Sequence, residues 1–234
     1  MVRINGQDCE KTGISVSDYL EQENYNVKHI VVEYNLEIIP KERNLVEYLD
    51  IKKAGNPNAY NRKPFSKTEV KKIWDVKDSN IYYTVILMLI YTGCRIGELL
   101  DLKKENVNLE ERYFKIVASK TAAGIRTAPI SEKVYPFFEY WYNLNDCEYL
   151  LSTPEGEHFK YRNYYDSYWS PLIETLGMKH RPHDTRHTCI SMLTVAGVSD
   201  KVIKKIVGHK GQGVTETVYT HIELPTKLEA INLI

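Results

Sequence analysis

Five groups of residues beyond position 90 carry side chains suited to holding and protonating a phosphate. In chain order they are Thr92-Gly93-Cys94-Arg95-Ile96-Gly97-Glu98-Leu99-Leu100, Lys120, His183-Asp184-Thr185-Arg186-His187-Thr188, Val207-Gly208-His209 and Val218-Tyr219-Thr220-His221. A guanidinium presents a rigid fork of N–H donors that matches two phosphate oxygens. Lysine and histidine can deliver a proton to a leaving oxygen. A tyrosine hydroxyl becomes a nucleophile once surrounding cations favour its phenolate.

Taken singly, each feature has a plainer reading. Arg95 follows a helix break and reads as a surface arginine paired with Glu98. His183 and Arg186 are three apart and share a helix face, which fits ordinary helix-start polarity after Pro182. His209, after Gly208, fits a cap on a preceding helix. Tyr219 is one of 18 tyrosines, and Lys120 is one of many lysines. Their order and spacing together distinguish them from packing residues.

The elements that must position them are mostly helical. Ser66 and Glu69 form a capping box ahead of a helix whose buried face carries Val70, Ile73 and Trp74. Ile81 to Tyr91 is apolar on nearly every side and predicts a central helix, broken at Thr92-Gly93, with another beginning at Arg95 to Leu100. Tyr113 to Val117 and Thr127 to Ile130 predict a hairpin whose connection, Ser119 to Arg126, carries Lys120 and Gly124. Helical patterns follow over Glu132–Tyr142, Lys160–Leu176, Asp184–Val195, Asp200–Val207, Val214–Thr220 and Lys227–Asn232. The result is a mainly α domain with a small antiparallel sheet over residues 63–234.

From about Pro64 onward these motifs resemble the tyrosine recombinase (phage integrase) family. The carriers of the likeness are the Thr-Gly-x-Arg-x-Gly-Glu-Leu box, His-x-x-Arg-His-Thr, Gly-His about two dozen residues later, and Tyr-Thr-His. The resemblance implies DNA cutting and rejoining through a 3′-phosphotyrosine. It implies Tyr219 as nucleophile, Arg95 and Arg186 as clamps on the non-bridging oxygens, and Lys120 as general acid. It also implies His183 and His209 as phosphate hydrogen-bond partners that assist proton transfer, with Glu98 and His187 orienting the arginines. Tyr219 lies ten residues after His209, through Lys210-Gly211-Gln212-Gly213, where many relatives have a shorter connection. The implied partners are double-stranded DNA and further copies of the chain, a tetramer on DNA with a monomer possible in solution. The tail from Lys227 to Ile234 carries an apolar stripe that fits either its own domain or a neighbouring protomer. No metal and no cofactor is implied, because cations take the place of the metal and the phosphotyrosine conserves bond energy. The chain accordingly has no P-loop sequence and no obvious carboxylate cluster.

Residues 1–43 differ in character. Val2 to Ile4, a helix led by Ser15 or Ser17, and strands at His29–Glu33 and Leu36–Ile39 around Tyr34-Asn35 suggest a small α+β unit. Met-Val-Arg-Ile-Asn-Gly, Tyr-Leu-Glu and Val-Glu-Tyr-Asn-Leu-Glu-Ile-Ile-Pro-Lys resemble a truncated ubiquitin-like sulfur carrier of thiamine biosynthesis. Such carriers act through a terminal Gly-Gly, which this chain lacks, so the sulfur-carrier activity is not carried over. Residues 44–62 read as a turn-rich linker. Family members carry a helical core-binding domain that closes around DNA, and residues 1–62 do not resemble one. Two other readings follow: a DNA-binding fragment of a decayed or fused integrase, and a type IB topoisomerase-like activity.

The bulk numbers are compatible with this. The 234 residues are 43% hydrophobic and 26% charged, with zero net charge. Residues 1–43 carry five Lys/Arg and eight Asp/Glu, whereas residues 44–234 carry 26 and 23, a net of +3 beside the candidate site. Four scattered cysteines (Cys9, Cys94, Cys147, Cys189) give no Cys-x-x-Cys pair for zinc. The most apolar run, Val85 to Tyr91, is too short to cross a bilayer and no signal pattern opens the chain, so a cytoplasmic protein is expected.

Overall fold

The chain divides into two compact units, Met1–Asn61 and Arg62–Ile234. The computed structural model describes residues 63–118, 124–209 and 222–234, and four short strands in the first unit. In that unit β1 (Val2–Ile4) pairs antiparallel with β2 (Gln7–Cys9), and β3 (Val32–Tyr34) with β4 (Glu37–Ile39). The strand at Gln7–Cys9 was not expected, and pairing of Tyr34 with Glu37 moves the predicted turn by one residue. The predicted helix after Ser15 and the linker lie outside the described residues.

The second unit begins with α1 (Lys67–Val76), which starts at Ser66 as its capping box predicts. Ser66 Oγ accepts the Glu69 amide at 3.2 Å, and Glu69 Oε2 accepts the Ser66 amide at 2.7 Å. The next helix, α2 (Tyr82–Thr92), is buried at every residue and packs against α1, against α4 (Tyr135–Asn143) and against α7 (Pro182–Val195). Burial of each Val, Leu, Ile or Met side chain contributes roughly 1.5–3 kcal/mol, which makes α2 the axis of the domain. Two indole donors tie it to neighbouring helices: Trp74 Nε1 donates to the Tyr91 hydroxyl at 3.2 Å and Trp141 Nε1 to Thr84 Oγ1 at 3.1 Å.

After the short α3 (Ile96–Leu100) comes a three-stranded antiparallel sheet in the order β5 (Val107–Asn108), β6 (Tyr113–Ile116), β7 (Arg126–Pro129). Phe114, Ile116 and Ala128 turn inward, and Phe114 stacks on Phe138 of α4. The predicted hairpin is present. Strand β5 was missed because two residues show no alternation.

The helix predicted over Lys160–Leu176 is broken into α5 (Tyr161–Tyr164), a π turn (Tyr165–Trp169) and α6 (Ser170–Thr175). Pro171 supplies the reason: it has no amide to donate to the carbonyl four residues back, so the turn before it widens. Proline also moves three helix starts. Pro182 and Pro225 open α7 and α9 (Leu224–Ile231) earlier than their apolar periodicity suggests, whereas Pro136 starts α4 three residues after Glu132. Helix α8 (Asp200–Val207) has the predicted bounds.

The tail helix α9 packs on β7 and α8 of its own domain. Ala230, Ile231 and Ile234 are buried, and the buried Lys227 donates to the Thr127 carbonyl at 2.9 Å. Of the two readings of the tail, this structure shows packing on its own domain. No helix among the described residues is long and apolar enough to cross a membrane.

Candidate active site

Three breaks in regular structure converge on one cluster of arginines. At the first, α2 ends at Gly93, whose φ of +62° is left-handed and whose amide donates to the Leu89 carbonyl at 3.0 Å. This frees the Gly93 carbonyl, which accepts Arg186 Nη1 at 2.9 Å. A side chain cannot replace the glycine hydrogen here: an added Cβ would lie 2.8 Å from Val207 Cγ1 and 2.9 Å from Cys189 Sγ. Gly93→Ala is therefore expected to lower unfolding stability by about 1–3 kcal/mol and to displace the carbonyl that holds Arg186. Urea unfolding checks the first effect, and a wild-type midpoint would refute the packing described.

The second break places Arg95. It caps α3 in extended conformation, and its amide donates to Glu98 Oε2 at 2.9 Å. Its guanidinium meets Glu98 Oε1 at 2.6 Å while remaining 37% exposed. Glu98 is 6% exposed and accepts a second guanidinium: Arg126 Nη2 reaches its Oε2 at 3.0 Å. Arg126, 5% exposed, spends its other donors on the Ile206 carbonyl at 2.7 Å and the Gly124 carbonyl at 2.8 Å. Burial alone would raise the Glu98 carboxyl, but hydrogen bonds and charge from Arg126 and then Arg95 outweigh it and hold the group below its ordinary value. A carboxylate thus fixes one exposed arginine while a buried one braces it. Sequence reasoning missed Arg126. The available signal was Glu98 itself, a carboxylate among Ile96, Leu99 and Leu100 that needs more compensation than one half-exposed arginine supplies.

Arg186 comes from the second turn of α7, one turn after His183, and is 1% exposed. Burial, and then the charges of Arg95 and Arg126, pull its guanidinium down to about 10 from 12.5, so it stays a cation at neutral pH. Its Nε and Nη2 are buried with no hydrogen-bond partner among the described residues. The neighbouring thiols are inert by comparison: burial pushes Cys94 up to about 11 and Cys189 up to about 12.

The third break follows α8. Gly208 is left-handed at φ +75°, and the His209 amide donates to the Lys204 carbonyl at 3.0 Å. His209 is exposed as a residue, yet desolvation of its ring, then Arg186, Arg95, His187 and Arg126, lower it below the usual histidine value. His183 and His187 meet edge to face at 5.1 Å on α7. The structure therefore gathers Arg95, Arg186 and His209 within electrostatic reach of each other and adds Arg126. His183 joins them through α7. The Glu98 pairing read for Arg95 is present and coexists with the cluster, whereas the C-terminal end of α8 is closed by the backbone amides of Gly208 and His209 on the Lys204 carbonyl. Lys120 and Tyr219 lie outside the described residues. Among the described residues, no group of three or more histidine, cysteine or acidic side chains is placed to hold a metal.

Residues 63–224 match the Phage integrase family. This chain belongs to that family. Tyrosine recombinase XerA of Pyrococcus horikoshii is 30% identical over 189 residues, covering 78% of this chain and 65% of that protein. The Tn1549 transposon integrase in complex with circular intermediate DNA superposes with a TM-score of 0.60 at 20% identity, over 76% of this chain and 69% of that one. A lambda integrase tetramer bound to a Holliday junction gives 0.53 at 17% identity, over 69% and 50%. Against its curated relatives the chain spans about half to two-thirds of their length. The structural likenesses establish the fold.

Proposed function

We propose that residues 63–234 are the catalytic domain of a site-specific DNA recombinase, which cuts and rejoins DNA through a 3′-phosphotyrosine at Tyr219. The observation that carries this reading is Arg186: a buried cation with two donor nitrogens unpartnered among the described residues, beside Arg95 and His209. Each buried donor left unmade costs about 1–3 kcal/mol, and the non-bridging oxygens of a phosphodiester would satisfy both. Charge builds on those oxygens in the transition state, where fixed guanidiniums stabilise it most. Lys120 then protonates the leaving 5′ oxygen, with His183 and His209 hydrogen-bonding the phosphate.

The solved relatives bound to DNA support double-stranded DNA as the partner, and the lambda tetramer supports a homo-oligomer on DNA. Residues 1–43 take no part in the chemistry proposed, and we read them as the truncated carrier-like segment joined through 44–62.

The test is covalent capture. The full chain is incubated, without metal, with a radiolabelled nicked duplex spanning the end of the DNA element that carries its gene. A labelled band that stays with protein in a denaturing gel and disappears in Tyr219→Phe is the expected result. DNA binding with no covalent band in wild type would overturn the enzymatic reading in favour of a DNA-binding fragment.

A further inference from the structure

One buried imidazole in this domain has no place in the chemistry above. The His180 side chain is 6% exposed and lies on the segment that leads into α7. Its Nε2 is 3.2 Å from Glu69 Oε1, and its Nδ1 is 3.3 Å from Asp184 Oδ2. The ring stacks on Phe65, with centroids 3.8 Å apart and planes inclined at 22°. Its carbonyl accepts Trp169 Nε1 at 3.0 Å.

Both carboxylates already serve helix starts. Glu69 Oε2 closes the capping box of α1 on Ser66, which leaves Oε1 for His180. Asp184 Oδ2 accepts the Arg181 amide at 2.9 Å in the first turn of α7. The imidazole therefore fastens the start of α1 to the start of α7. A second tether runs in parallel, because the Phe65 amide donates to Thr188 Oγ1 at 2.8 Å. His183 and Arg186 leave α7 between these two tethers.

Ionised carboxylate oxygens only accept hydrogen bonds, so the two contacts are made together only when both ring nitrogens carry a proton. The positive end of α7 opposes a cation here, but two charge-assisted hydrogen bonds to carboxylates favour it. On the other side of the contact, burial would raise the Glu69 carboxyl, but bonds from Ser66 and from His180 hold it below its ordinary value. Among the described residues, the charged groups bonded to the ring are Glu69 from α1 and Asp184 from α7, and Lys179 and Arg181 flank it in the chain. Phe65 covers its face.

We propose that His180 is a positioning residue for His183 and Arg186, acting as a doubly protonated bridge between Glu69 and Asp184. The proposal rests on the recombinase reading for its effect on rate, but not for its effect on structure. When the ring loses one proton, one bridge opens, α7 loses one of its two tethers to the start of α1, and the phosphate-binding pair is less well held. Small displacements of a catalytic group cost up to about a hundredfold in rate, and loss of one of two parallel tethers is expected to cost about tenfold.

Two measurements on the full chain test this. Nitrogen-15 NMR of the histidine rings, without DNA, should show both His180 nitrogens protonated near neutral pH. The Arg186 side-chain resonance should move as that proton leaves on raising the pH. Covalent capture by wild type should fall on the alkaline side in step with the ring. His180→Leu should lower the capture rate about tenfold with nicked-duplex affinity nearly unchanged, and His180→Gln should restore part of it while abolishing the alkaline inflection. Glu69→Gln, which keeps the bond to Ser66, should move the inflection to lower pH and covers the case in which a His180 variant fails to fold. A ring with a single proton at neutral pH, or His180→Leu and Glu69→Gln profiles identical to wild type, would overturn the proposal. If wild type gives no covalent product, the recombinase reading fails, and the ring and Arg186 spectra still decide for or against the bridge.

Discussion

Arg186→Met is expected to abolish covalent capture while leaving the thermal midpoint unchanged or higher. The rate should fall by about a hundred- to a thousandfold, the usual cost of removing one fixed donor to a developing oxyanion. Stability should move the other way for reasons visible around the side chain. The guanidinium is 1% exposed, repelled by Arg95 and Arg126, and bonded among the described residues only through Nη1 to the Gly93 carbonyl. Methionine keeps most of the volume and removes a desolvated cation, a replacement that is often neutral or stabilising. Against this stands one unpaired carbonyl, worth about 1 kcal/mol. Arg186→Lys keeps a charge but loses the fork, so its rate should fall between the two. Parallel thermal unfolding and single-turnover capture check this. A Met variant that loses stability together with activity would show that Arg186 is held for packing, not for a phosphate.

What could be read from the sequence were the features whose causes are local. Ser66 and Glu69 are three residues apart, and the capping box is where that spacing puts it. Tyr82 to Thr92 is apolar around its whole circumference, and it is the buried axis. Arg95, His183, Arg186 and His209 stand beside helix breaks or on one helix face that the sequence marks with glycine or proline. What could not be read are the partners. Arg126 lies 28 residues from Glu98, and His180 lies 111 residues from Glu69. No periodicity encodes such pairings, which follow from how α3, β7, α1 and α7 pack. The π turn before Pro171 and the two-residue β5 were missed because one proline's effect on the previous turn and one short pairing leave no pattern. Arg95, Arg186 and His209 lie within electrostatic reach of one another, and His183 shares α7 with Arg186; their roles come from the family resemblance.

Glu98→Gln is expected to produce the largest loss of stability of any substitution at the site, about 3–5 kcal/mol by urea unfolding, the cost of stranding a buried charge. The stranded charge is Arg126, which is 5% exposed and keeps only carbonyl partners once the carboxylate is gone. Arg95 is half-exposed and can turn to water, so its share of the loss is small, but its aim at a phosphate is lost. The pH dependence has a definite sign. In the folded state the Glu98 carboxyl is held below 4.5, its ordinary value. Between the folded and unfolded values the unfolded chain binds more protons, so stability rises with pH there. The contribution is fully present above about 4.5 and is lost as pH falls through the folded value. Wild type should therefore show a steep acid limb in its stability curve, and Glu98→Gln should flatten it. The double variant Glu98→Leu with Arg126→Met removes both buried charges and should recover most of the stability, yet it should not recover capture, because nothing then orients Arg95. Recovery of both together would mean that the carboxylate serves the fold alone. Recovery of stability without capture is the outcome that ties this ion pair to the chemistry.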